Sequence, residues 1–125
     1  MPKAANTVKA TNVKGNSIKV NSVKLNRNYI QNGVAISPSA PNVGDRVQIV
    51  YDGLLSKSGA THVYAHIGYG SRWENEQDVP MMKTNVGFET TVPVVKSDTF
   101  NVCFKDCANH WDNNSGKNYS FDVVQ

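Results

Sequence analysis

Only two cysteines, Cys103 and Cys107, occur in the 125 residues, and they do not make a disulfide framework. Whether they pair across a tight turn, with Cα atoms within about 7 Å, or stay as thiols is open. No apolar run approaches the roughly 20 residues needed to cross a bilayer. Residues 1–24 lack the apolar stretch of a secretory signal. No G-x-S-x-G elbow, phosphate-binding loop or H-E-x-x-H is present, which removes the best-marked hydrolase, nucleotide and metalloprotease readings. No segment carries a sustained helical period. Positive charge is not spread as a binding face. The net +3 comes from Lys3, Lys9, Lys14, Lys19 and Lys24, and no aromatic residue occurs before Tyr29. A nucleic-acid surface would need both.

The length supports one domain with one core. Its first part is a pseudo-repeat, TVKAT, NVKGN, SIKVN, SVKLN, over residues 7–26. A period of five flips the apolar residue to the other face of a strand at each step. In a helix it advances about 140° per step and builds no stripe. Residues 1–31 therefore read as a Lys/Asn-rich linker or N-terminal extension, with a local strand pattern at 17–25. From residue 32 to 125 the pattern is different. Val47, Ile49 and Tyr51 alternate up to the Asp52-Gly53 turn. Val63, Ala65 and Ile67 share one face, with His62, Tyr64 and His66 on the other. Phe88, Thr90, Val92 and Val94 form a further set, as do Phe100, Val102 and Phe104, and Tyr119, Phe121 and Val123. Short strands at regular spacing with turn residues between them predict an all-β, antiparallel, immunoglobulin-like β-sandwich.

Both tryptophans lie among short polar residues. Trp73 precedes Glu74, Asn75, Glu76 and Gln77, and Trp111 precedes Asp112, Asn113, Asn114 and Ser115. An indole in such a loop can stack on the apolar face of a sugar while nearby amides bond its hydroxyls. The opposing reading makes the tryptophans structural plugs, with Trp73 folded over Met81 and Met82 and the 112–116 segment merely turning. Patterning leaves the two equally open.

Other chemistries fit less well. His62-x3-His66 and Cys103-x3-Cys107 have zinc-like spacing, but four residues of strand span about 13 Å, too far for two histidines to share one ion. No metal ligand set and no cofactor is expected. Glu74, Glu76, Asp78 and Asp112 lie near the tryptophans, and a glycosidase needs two carboxylates about 5–9.5 Å apart. A small sandwich lacks the deep cleft that would raise one of them by burial, so no catalytic residue is assigned.

The stretches YAHIGYGSRW, DVPMMKTNVGFETTV and CFKDCANHWDNNSGKNYSF resemble a family-25 carbohydrate-binding module, a starch-binding domain. The most specific pieces are His66 with Trp73 seven residues later, and W-D-N-N-x-G-x-N-Y from Trp111. The resemblance implies a non-catalytic sandwich that binds α-1,4-glucans (starch, glycogen or malto-oligosaccharides). It implies a secreted or cell-surface setting, as one monomeric module of a larger protein, with no nucleic-acid or membrane partner. His66, Trp73 and Trp111 would be stacking surfaces, and Asn113 and Asn114 hydrogen-bonding partners. Tyr69, Asn75, Lys83 and Asp112 are further candidates. His110 and Cys107 depart from the family pattern at the rim. The alternative function is a protein–protein or cell-wall adhesion module using the same tryptophans.

Overall fold

Alternation in the sequence becomes two facing sheets in the computed structural model, which describes residues 28–124. The Lys repeat and the strand expected at 17–25 lie outside the described residues. One sheet has the order β1-β2-β3-β7-β6, formed by Tyr29–Gln31, Val34–Ser37, Arg46–Tyr51, Gly87–Pro93 and Met82–Thr84. The other has the order β10-β8-β4-β5, formed by Tyr119–Phe121, Phe100–Asp106, Val63–Tyr69 and Glu74–Pro80, with β9, Trp111–Asp112, also on β8. All the strand pairings within the sheets are antiparallel. Val47, Ile49 and Tyr51 from the first sheet, and Val63, Ala65, Ile67, Phe100, Val102 and Phe104 from the second, are buried between them. Burying each large apolar side chain of this kind contributes roughly 1.5–3 kcal/mol. The expected all-β antiparallel sandwich is therefore the observed architecture.

Four details differ from the sequence reading. Tyr29–Gln31, which the composition shift placed before the module, pairs with β2. The turn between them is Asn32-Gly33, with φ of 56° and 79°, the left-handed pair that a two-residue hairpin turn requires. The chain after Asp52-Gly53 makes one short helix, α1, Leu54–Lys57, with Leu55 buried. Glu74–Pro80, expected as a polar loop, is the edge strand β5. It lacks apolar alternation because all of its residues but the half-buried Val79 are exposed. Charged residues on such an edge also discourage pairing with other chains. Finally, Trp111 and Asp112 are not in a loop but form β9, opposite Lys105 and Phe104.

Tyr51 ties these parts together. Its ring is fully buried and stacks on Phe104, with centroids 4.2 Å apart and planes 25° apart. Its hydroxyl donates to Asp112 Oδ2 at 2.6 Å and accepts from the Leu55 N–H at 2.9 Å. Burial above all, and then the bond to Asp112, raises this phenol well above its usual value, so it remains a donor. One hydroxyl thus fixes both α1 and β9.

Candidate functional site

Strand register builds the site on the outer face of the second sheet. His66 on β4 lies between Cys103 on β8 and Asp78 on β5, on the side opposite the buried Val63, Ala65 and Ile67. Residues two apart on a strand share a face, so Glu76 and Asp78 both reach the imidazole. His66 Nδ1 is 2.5 Å from Asp78 Oδ1, and Nε2 is 2.6 Å from Glu76 Oε2. Either tautomer has an N–H with a carboxylate acceptor, which holds the ring plane.

Both tryptophans converge on that ring. Trp73 stacks with His66 at a centroid distance of 5.4 Å and 29° between planes. Trp111 meets it edge-on at 5.2 Å and 89°. The difference of the two angles, 89° − 29°, means that the indole planes are at least 60° apart. Trp111 is 46% exposed and Trp73 is half-buried, whereas the His66 side chain is only 17% exposed. His66 therefore acts mainly as the post between two indoles, with little open surface of its own. Lys105 Nζ sits over the Trp111 ring, 5.4 Å from its centroid, and 3.6 Å from Asp78 Oδ2, bracing the second indole. Cys103 lies buried in the same sheet. Burial first, then Asp78, Asp112 and Glu76, push its thiol up to about 12. It is an inert packing group and is not disulfide-bonded to the exposed Cys107.

Gly68 makes the Trp73 position possible. A Cβ at Gly68 would lie 2.7 Å from Trp73 Cε3 and 3.0 Å from Trp73 Cα. The chain at Trp73 itself takes a left-handed φ of 53°, and Asn75 follows at 55°. The conformation at Trp73 turns the indole back over β4, and Asn75 lies within the first residues of β5. A glycine inside an otherwise alternating strand is the sequence signal for such a close approach.

The remaining predicted residues are distributed unevenly. Asn75 is exposed on β5 beside the cluster. Asn113 and Asn114 follow Trp111 but shape the turn: Asn113 Oδ1 accepts from the Gly116 N–H at 2.9 Å, and Asn114 Nδ2 donates to the Asn118 carbonyl at 3.0 Å. Asp112 is committed to the Tyr51 hydroxyl. Tyr69 is a correction. It is 1% exposed, and its hydroxyl is taken up by the Val95 N–H and the Pro93 carbonyl, so it belongs to the core. Lys83 is another. It lies on β6 of the opposite sheet, over Phe88, and is not brought to the cluster. Sequence reasoning missed Gly68, Lys105 and the roles of Glu76 and Asp78. The carboxylates weighed for catalysis all have protein partners: Glu74 with Lys96 at 2.7 Å, Glu76 and Asp78 with His66, and Asp112 with Tyr51.

Comparison with known proteins finds carbohydrate-directed relatives. Residues 47–102 match the sequence profile of the family described as starch/carbohydrate-binding module (family 53). The chain is also 32% identical over 90 residues, 70% of its length, to an α-amylase of Clostridium acetobutylicum. It spans 11% of that relative's length. No solved structure matches the chain significantly. The likeness is thus to starch-binding modules as a class. It does not single out family 25, the finer assignment that the motif resemblance implies.

Proposed function

We propose that this chain is a non-catalytic module that binds α-1,4-glucans and carries a larger secreted or cell-surface protein to them. The observation that supports this most is the pair of indoles held on His66 with planes at least 60° apart, from the 89° and 29° ring angles. An α-1,4-glucan curls, so successive glucose rings present faces at an angle to one another. Two tilted platforms follow that curl, whereas coplanar ones suit a flat chain. The exposed Asn75 beside the cluster supplies an amide for the hydroxyls of stacked sugars, while the side chains of Asn113 and Asn114 shape the turn that carries Trp111. The likeness to a starch-binding family and to a segment of an α-amylase supports the same ligand class. Residues 1–31 would then carry the tether, with Tyr29–Gln31 taken up into the sheet.

Such an open site should bind one oligosaccharide at about 0.1 mM, or about −5.5 kcal/mol. Several modules on one chain would gain avidity on a granule. The decisive measurement is native affinity electrophoresis in gels containing amylopectin, dextran or no polysaccharide. Retardation by amylopectin alone is expected. Equal mobility in all three gels would reject glucan binding and leave the adhesion reading.

Gly68→Ala tests the geometry separately from the indoles. The new methyl group meets the Trp73 backbone as well as its ring, so the indole must shift off His66. Losing one aligned stacking contact, worth about 1 kcal/mol, should weaken malto-oligosaccharide affinity roughly fivefold while amide exchange in the core strands is unchanged. Unaltered affinity would mean that the orientation of Trp73 does not matter.

A further inference from the structure

Trp111 belongs to two features at once. One part of it faces His66, and it also closes one end of a groove of about 720 Å³ between α1 and the turn joining β8 to β9. That volume falls within the roughly 300–1,000 Å³ of typical small-molecule sites. Leu54, 62% exposed, forms an apolar wall with Trp111, and Ser58, Asn109 and His110 line the groove with polar groups. Among the described residues the groove has one carboxylate, Asp106, and it is already satisfied. It accepts from the Ala108 N–H at 2.9 Å, the His110 N–H at 2.8 Å and His110 Nδ1 at 2.8 Å. These bonds, led by the His110 N–H, hold Asp106 below the ordinary carboxylate value, so it stays charged and closed. Among the described residues, no lysine or arginine lines the groove. An apolar strip with hydrogen-bonding side chains, its one carboxylate paired with His110, fits a neutral amphipathic chain and not an ion. Both walls are fixed by the Tyr51 hydroxyl, through Leu55 and Asp112, so the groove is formed before any ligand arrives.

We infer that the α1 groove is an extension subsite that takes the glucose units continuing past Trp111 from the aromatic cluster. The inference rests on the glucan-binding reading above and adds to it a preference for longer chains. Leu54 and Trp111 would contact sugar faces, and His110 and Ser58 the hydroxyl edges.

The test is calorimetric titration of the whole chain with maltotriose and with maltoheptaose. Wild type should bind the heptaose more than about tenfold tighter than the triose, beyond the roughly fivefold that alternative registers on one short site would supply. Leu54→Ser removes the apolar wall, and Ala108→Arg fills the groove from its exposed turn. Each should bring heptaose affinity within about fivefold of the triose value and leave triose affinity unchanged. Because the two changes are on different elements and both positions are exposed, a folding defect in one leaves the other decisive. Heptaose affinity that is unchanged in both variants, or no length dependence in wild type, overturns the groove while leaving the aromatic site standing. Absence of binding by either sugar overturns both.

Discussion

Replacing Trp111 with alanine should remove retardation in amylopectin gels while the protein stays folded. Truncating a tryptophan at the centre of a binding surface typically costs 2 kcal/mol or more. On a site of about 0.1 mM, 2 kcal/mol is a roughly 30-fold loss, which takes the dissociation constant to several millimolar. The stability cost is much smaller. The indole is 46% exposed and loses only an edge contact to His66 and the Lys105 ammonium above its ring. That should amount to about 1 kcal/mol, or 4–8 °C in a domain of this size. Binding and unfolding must be measured on the same preparation. A variant that is unfolded at room temperature would show that Trp111 is a plug, and the platform reading would fail. Because Trp111 also borders the α1 groove, its loss should abolish binding of short and long sugars alike, unlike the groove variants.

The second large effect is on stability. Tyr51→Phe should lower the melting temperature by roughly 15 °C, corresponding to about 3 kcal/mol. The substituted ring keeps its stacking on Phe104, so the change isolates the hydroxyl. Its removal leaves the Leu55 N–H without an acceptor and the Asp112 carboxylate without its 2.6 Å donor. Unsatisfied groups of this kind cost about 1–3 kcal/mol each when buried, and a charged one costs more. The Asp112→Asn protein, which keeps an acceptor at the same place, should lose less. A melting temperature within about 2 °C of wild type for Tyr51→Phe would show that water replaces both bonds. Tyr51 is itself fully buried, so any change in sugar affinity in this variant would act through the positions of α1 and β9.

Strand positions with one buried face were legible because burial writes a period of two into the chain. That period locates β3, β4, β7, β8 and β10 and sets His66 on the outer face. The hairpin of β1 and β2 was legible too, in Asn32-Gly33 with Tyr29 and Ile30 ahead of it, but the basic repeat upstream hid it. β5 was not legible. An edge strand whose two faces are both exposed has no periodic burial to record, so Glu74–Pro80 reads as a loop. For the same reason the roles of Glu76 and Asp78 were invisible: they depend on the antiparallel register that brings Asp78 opposite His66. Tyr69 and Lys83 illustrate the converse. Both neighbour the motif in sequence, yet one points into the core and the other is carried to the opposite sheet.

The sequence by itself determined an all-β antiparallel sandwich and singled out His66, Trp73 and Trp111, because alternation and residue chemistry are local properties. Only the tertiary structure decided how those three meet. Two indoles 38 positions apart in the chain come to one imidazole through the pairing of β4 with β5 and β8 and of β8 with β9. It also decided that the imidazole is mostly covered, that Gly68 makes room for Trp73, and that α1 and β9 leave a groove beside Trp111. Ring angles and cavities arise from contacts between segments distant in sequence, and no local pattern encodes them.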